Sequence, residues 1–105
     1  MTALTQGYRE TVIDRLQKDR AFATTVFAEA ISAFVEGDPL TTLSILRDLA
    51  NARISFKTLA ETTGFHEKAL HRMLSRRGNP TTQNLSTLLH AIEQALDLHV
   101  DVTAK

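Results

Sequence analysis

The side chains most able to do chemistry lie close together past the middle of the chain: His66, Glu67, Lys68, His71 and Arg72. The run His66-Glu67-Lys68-Ala69-Leu70-His71 invites a zinc reading, because two histidines and a glutamate on one helix can form a metal site with a general base. The spacing defeats it. Such a site needs its histidines at i and i+4, whereas i+5 turns the second imidazole about 140° from the first. His90 and His99 are distant along the chain and carry no ligand spacing. The absence of cysteine removes thiolate ligands, disulfides and thiol catalysis and agrees with a reducing compartment. No Gly-rich phosphate loop is present, and the Ser and Thr residues fall at caps and turns. The chain therefore reads as a binding protein and not an enzyme, with no metal and no cofactor.

The same residues suit recognition. On a helix whose Leu70, Met73 and Leu74 face inward at i, i+3 and i+4, the residues His66, Glu67, Lys68, His71 and Arg72 lie outward. A guanidinium at Arg72 can bond a guanine edge at two points, worth about 1 to 3 kcal/mol of discrimination. Glu67 can accept from cytosine, or repel phosphate and so restrict which sites bind. Lys57, Ser75, Arg76 and Arg77 are placed for phosphates, and Thr81 and Thr82 add hydroxyl and backbone donors at a helix N-terminus. Zero net charge over 105 residues argues at first against a nucleic-acid partner. The distribution reverses that. Residues 53–78 hold six basic residues against two acidic ones, while the segments on either side are each net acidic by two. Acidic flanks keep non-specific phosphate affinity modest and leave one local basic surface.

These side chains need two short helices and a tight turn to position them. Ser55 caps a first helix with apolar positions Phe56, Leu59 and Ala60, and Gly64 ends it in a left-handed conformation. The second helix starts at Phe65 or His66. Gly78-Asn79-Pro80 stops it, since glycine accepts positive φ and proline cannot continue the ladder. Phe56 is either partly exposed toward a ligand or packed on the neighbouring helix.

Residues 55–80, SFKTLAETTGFHEKALHRMLSRRGNP, resemble the helix-turn-helix of the phage-repressor and Cro-like (Xre) family. The match rests on Ala60, where a small residue lets the helices approach, on Gly64 at the turn, and on Leu70 as the core anchor of the recognition helix. Within that family LAETTGFHEKALHRMLSRRGNPT is similar to the addiction-module antidote group, the HigA-like antitoxins, and EGDPLTTLSILRDLANAR fits that group's upstream helix. The resemblance covers roughly residues 19–100. It implies a lambda-repressor-like bundle that binds a near-palindromic operator in double-stranded DNA as a homodimer, acting as a repressor and as the antitoxin of a toxin-antitoxin module with a cognate toxin partner. A stand-alone prophage-type regulator, or an interaction module that keeps the shape without reading DNA, are the alternatives.

The rest of the chain reads as support within one domain, 1–105. Residues 1–18 form an N-terminal extension: 1–6 carry no structural signal, and Tyr8, Val12 and Leu16, with Ile13, mark a helix over 7–18. Asp19 caps a helix over about 20–35 whose wide apolar face holds Phe22, Val26, Phe27, Ala30, Ile31 and Phe34; this Phe stripe is read as core. Glu36-Gly37-Asp38-Pro39 ends it and opens a third helix, about 39–52, that buries Leu43, Leu46, Leu49 and Ala50. Thr81 or Thr82 caps a last helix with Leu85, Leu88, Leu89, Ile92 and Leu96. The period then changes. Leu96, Leu98, Val100 and Val102 alternate with Asp97, His99 and Asp101, which predicts a short C-terminal strand over 96–103 in an otherwise all-α, five-helix bundle. Nothing else reads as a second strand, so it is expected to pair with the same strand of a second subunit or with a partner protein. No apolar run reaches the roughly 18 to 20 residues of a bilayer span, and no signal peptide is evident, so a cytoplasmic protein without membrane contact is expected.

Overall fold

A computed structural model of the chain describes residues 2–104, with side chains described from residue 10 onward. Its elements are helices α1 (Thr2–Lys18), α2 (Arg20–Val35), α3 (Pro39–Leu49), α4 (Phe56–Thr63), α5 (Glu67–Met73) and α6 (Thr82–Ala95), with a π-helical turn Ala50–Ile54 between α3 and α4. The protein is all-α. Among the described residues there is no strand, and no helix is long and apolar enough to cross a membrane.

Local chemistry sets most of the boundaries. Asp19 Oδ1 accepts from the Phe22 N–H at 3.0 Å and starts α2 one residue after α1 ends. Gly37, with φ of 88°, turns the chain back, and Asp38 caps α3 by accepting from the Thr41 N–H at 3.3 Å and the Thr41 hydroxyl at 2.6 Å. Ser55 and Thr81 cap α4 and α6 through the N–H groups of Thr58 and Asn84, each at 3.1 Å. Each such cap satisfies a backbone donor that the helix leaves orphaned, worth about 1 kcal/mol.

A single apolar cluster joins all six helices, with Leu16, Leu46, Leu49, Leu70, Leu88 and Ile92 fully buried in it. Burying each such side chain stabilises by about 1.5 to 3 kcal/mol. Thr42 is buried among them because its hydroxyl donates to the Ala30 carbonyl at 2.8 Å, fastening α3 to α2. Arg53 reaches back to α1, donating to the Leu16 carbonyl at 2.8 Å and that of Gln17 at 3.3 Å. A cation counted with the basic segment is thus spent on closing a helix end.

Four expectations are corrected. Helix α1 begins at Thr2 and not at residue 7, so residues 2–6 are helical although their sequence carries no such signal; the Tyr8 side chain lies outside the described ones. The third helix stops at Leu49, and its last turn widens: the Ser55 N–H bonds the Ala50 carbonyl at 2.7 Å, five residues back. Phe34 is 44% exposed, since α2 ends one residue later and the ring borders an open groove between α3 and α6 and does not enter the core. The short strand expected over 96–103 is not formed among the described residues: Leu96 and Asp97 lie in the turn that ends α6. Residues 98–104 instead run without regular structure, the first of them lying against α2 with Leu98 and Val100 half-buried.

Candidate nucleic-acid interface

Helices α4 and α5 are short, and neighbours hold them. Phe56 and Leu59 of α4 and Leu70 and Met73 of α5 are buried in the common core. Gly64 ends α4 with φ of 82°, its N–H donating to the Ala60 carbonyl at 2.8 Å. A Cβ there would meet no atom within 4 Å, so the need for glycine is conformational. Ala60 is half-buried on the α4 side of this turn. At the far end of α5 the reason for glycine differs. Gly78 does not have positive φ; a Cβ on it would collide with the Met73 carbonyl oxygen and come within 2.9 Å of the Arg72 carbonyl oxygen. The chain folds back so closely onto the end of α5 that no side chain fits.

That return also shortens the helix. Expected to run toward Gly78, α5 stops at Met73, and residues 74–77 form a turn that carries Ser75, Arg76 and Arg77. The Ser75 hydroxyl donates to the Arg72 carbonyl at 2.7 Å, and Arg47 of α3 donates to the Leu74 carbonyl at 2.8 Å. Both bonds occupy carbonyls that a helix would leave open at its end. Arg76 and Arg77 therefore project from a turn, and Ser75 is half-buried with its hydroxyl engaged.

His66, Glu67, Lys68, His71 and Arg72 are all exposed, as are Lys57, Arg76, Arg77, Thr81 and Thr82. The structure brings two of these groups together. The His71 ring stacks on Phe56 with centroids 3.9 Å apart and planes 16° from parallel, which fixes the start of α4, and with it Lys57, beside the end of α5. Phe56 is accordingly buried, 7% exposed, which decides between its two expected placements. The stack occupies one face of His71 and leaves His66, Lys68 and Arg72 as the outward donors least engaged with the protein. Thr81 and Thr82 begin α6 apart from them; Thr81 serves as the cap, and Thr82 borders a groove with Phe34 and Leu40.

Among the described residues none of Lys57, Lys68, Arg72, Arg76 and Arg77 takes part in an ion pair; the salt bridges join Arg15 to Asp19, Lys18 to Asp14, Arg20 to Asp97, and His90 to Glu93. Five exposed cations on one helix pair and its following turn make a surface that attracts phosphate. No group of three or more His, Asp or Glu side chains converges as a metal site among the described residues.

Comparison with protein-family models, curated proteins and solved structures gave no match.

Proposed function

We propose that α4 and α5 act as a helix-turn-helix that reads duplex DNA, and that the protein is a cytoplasmic transcriptional repressor serving as the antitoxin of a toxin-antitoxin module. The observation that carries this is the set of exposed cations, Lys57, Lys68, Arg72, Arg76 and Arg77, without acidic partners among the described residues, on two helices and the turn that follows them, with the apolar sides of both helices packed against the core. In this reading His66, Lys68 and Arg72 meet base edges, with Glu67 selecting by acceptance or repulsion and His71 contributing an edge beside its stack. Lys57, Arg76 and Arg77 meet phosphates, as do the hydroxyls of Thr81 and Thr82. Two copies with recognition helices about 34 Å apart would span successive major grooves of a near-palindromic operator. Binding, and no chemistry, is the activity. Toxin neutralisation is a separate surface of the same chain; a stand-alone regulator uses the DNA surface alone.

Selection from a randomised duplex library followed by titration tests it. Arg72→Ala should lower the preference for the selected sequence by tenfold or more, on the basis of about 1 to 3 kcal/mol for a bidentate base contact. Lys57→Ala should weaken all sequences alike and reduce the salt slope by about one. Equal affinity for scrambled DNA, or no binding at low salt, overturns the proposal in favour of an interaction module, the reading that exposed Glu67 in the first turn of α5 favours.

A further inference from the structure

The C-terminal tail leaves one backbone edge open. Helix α6 ends in a Schellman cap: the Asp97 N–H donates to the Gln94 carbonyl at 3.1 Å and the Leu98 N–H to the Glu93 carbonyl at 3.0 Å, with Asp97 left-handed at φ of 55°. The chain then runs past Glu93, whose carboxylate accepts from the Val100 N–H at 2.9 Å. Leu98 and Val100 thus turn their backbone toward α6. In an extended chain the backbone groups of alternate residues point to opposite edges. Those of His99, Asp101 and Thr103 belong to the other edge, and among the described residues no hydrogen bond uses them. Beside the tail lies a groove of about 660 Å³, floored by Phe27 and Ile31 of α2 and by Val100. Val35 and Val102, 78% and 81% exposed, stand in the same groove. Val102 ends the alternating apolar pattern and Val35 ends α2, so together they extend the groove floor into a contiguous exposed apolar patch of the kind that marks an interaction site.

We propose that the occupant is the tail of a second copy, added antiparallel along the open edge and centred on Val100. The register follows from charge. Centred on Val100, it sets His99 opposite the Asp101 of the second copy twice over, Leu98 opposite Val102, and Val100 opposite itself. Centring on His99 instead opposes Asp97 to Asp101, and centring on Asp101 opposes two carboxylates directly, which is destabilising. In the favoured register the paired backbone groups are those of His99 and Asp101, the ones without partners, and each imidazole N–H can donate to a carboxylate. The apolar side chains of both tails then share the floor over the two α2 helices, and the contact is isologous, as a closed dimer requires. This pairing rests on the dimeric reading proposed above, while its geometry comes from the tail.

Because the chain has no cysteine, single cysteines report the register. Val100→Cys sits at a non-hydrogen-bonded pair, where Cα atoms are about 4.5 Å apart and a disulfide fits. On mild oxidation Val100→Cys should form a covalent dimer at least tenfold faster than His99→Cys or Asp101→Cys. Faster cross-linking at either of those two sites overturns the register. Sedimentation equilibrium supplies the second reading: His99→Asp should weaken the dimer tenfold or more, and the swapped variant His99→Asp/Asp101→His should restore it, with circular dichroism confirming that each is folded. A swap no better than the single change, or a chain truncated after Leu96 that remains folded and dimeric, overturns the pairing. Failure of the two proposals is separable. A Val100-cross-linked dimer that ignores DNA removes the DNA reading and leaves the pairing, whereas a monomer that shifts DNA at half-sites removes the pairing alone.

Discussion

The α4–α5 pair and the C-terminal tail are both short segments at the edge of the bundle, yet they are finished in opposite ways. In the pair, the apolar residues Phe56, Leu59, Leu70 and Met73 are buried, Ser55, Gly64 and Arg47 attend to helix ends, and charged groups face water. In the tail, apolar exposure rises toward the end of the chain, with Leu98 and Val100 half-buried and Val102 81% exposed. A segment that offers side chains to a polar ligand must be rigid and internally satisfied beforehand, since any ordering on binding lowers affinity. A segment that pairs through its backbone must keep an edge open until the partner arrives. The two finishes fit a polar ligand for the helix pair and a polypeptide for the tail.

The sharpest way to break the closed half of this contrast is Gly78→Ala. The added methyl would collide with backbone at Met73 and Arg72, which cannot move aside as a flexible side chain would. A loss of about 2 to 3 kcal/mol is expected, at the upper end of overpacking costs. Urea titration should show a lower midpoint at unchanged slope. Gly64→Ala should cost less, about 1 to 2 kcal/mol, because open space surrounds that position and only the left-handed backbone is penalised. If the two variants lose the same amount, the close return of the chain at Gly78 is not what limits the residue there.

The features legible in the sequence are those decided within about four residues. Asp19, Asp38, Ser55 and Thr81 each cap a helix through an N–H three positions on, so the amino-acid order alone locates four helix starts. Gly64 is of the same kind. What escaped is decided at longer range. Helix α5 ends early in part because of Arg47, 27 residues before the carbonyl it bonds, and the ring of His71 is fixed by Phe56 across the turn. Neither leaves a periodic trace, because a donor's target is set by packing. The π turn Ala50–Ile54 looks like ordinary helix in its apolar spacing, and its width shows only in the bond from the Ser55 N–H to the Ala50 carbonyl. In the tail the alternation was legible and correctly separated inward from outward residues from Leu96 to Asp101. Its meaning was not, because period two marks any extended segment with one covered face, and a helix can cover it as well as a sheet.

On the tail side the expected effects are smaller. Asp97 holds a left-handed conformation, φ 55°, that glycine adopts at no steric cost. Its carboxylate lies 3.8 Å from Arg20 with both side chains exposed, so little is lost with it, and the Arg20 bond to the Asp97 carbonyl at 3.1 Å survives the substitution. Asp97→Gly should therefore raise stability by about 0.5 kcal/mol, the relief of strain less the added freedom of glycine in the unfolded chain. Thermal unfolding checks the sign. A lower Tm would mean that the carboxylate holds the turn more firmly than its distance from Arg20 implies.

The smallest effect on the single chain belongs to Val102→Ser. At 81% exposure Val102 contributes almost nothing within one copy, so dilute protein should unfold within about 0.5 kcal/mol of the parent. The contrast between the two regions predicts a difference that grows with concentration. Association stabilises the folded chain by mass action, so the Tm of the parent should climb as protein is added, and the climb should flatten when Val102 no longer covers Leu98 of the second copy. A helix-pair variant such as Lys57→Ala should keep the parent's climb, because Lys57 lies outside the pairing surface. If both variants climb alike, the exposed valine is an ordinary surface residue and the tail is finished as fully as the helix pair; if only Val102→Ser flattens, the open edge is where the second copy binds.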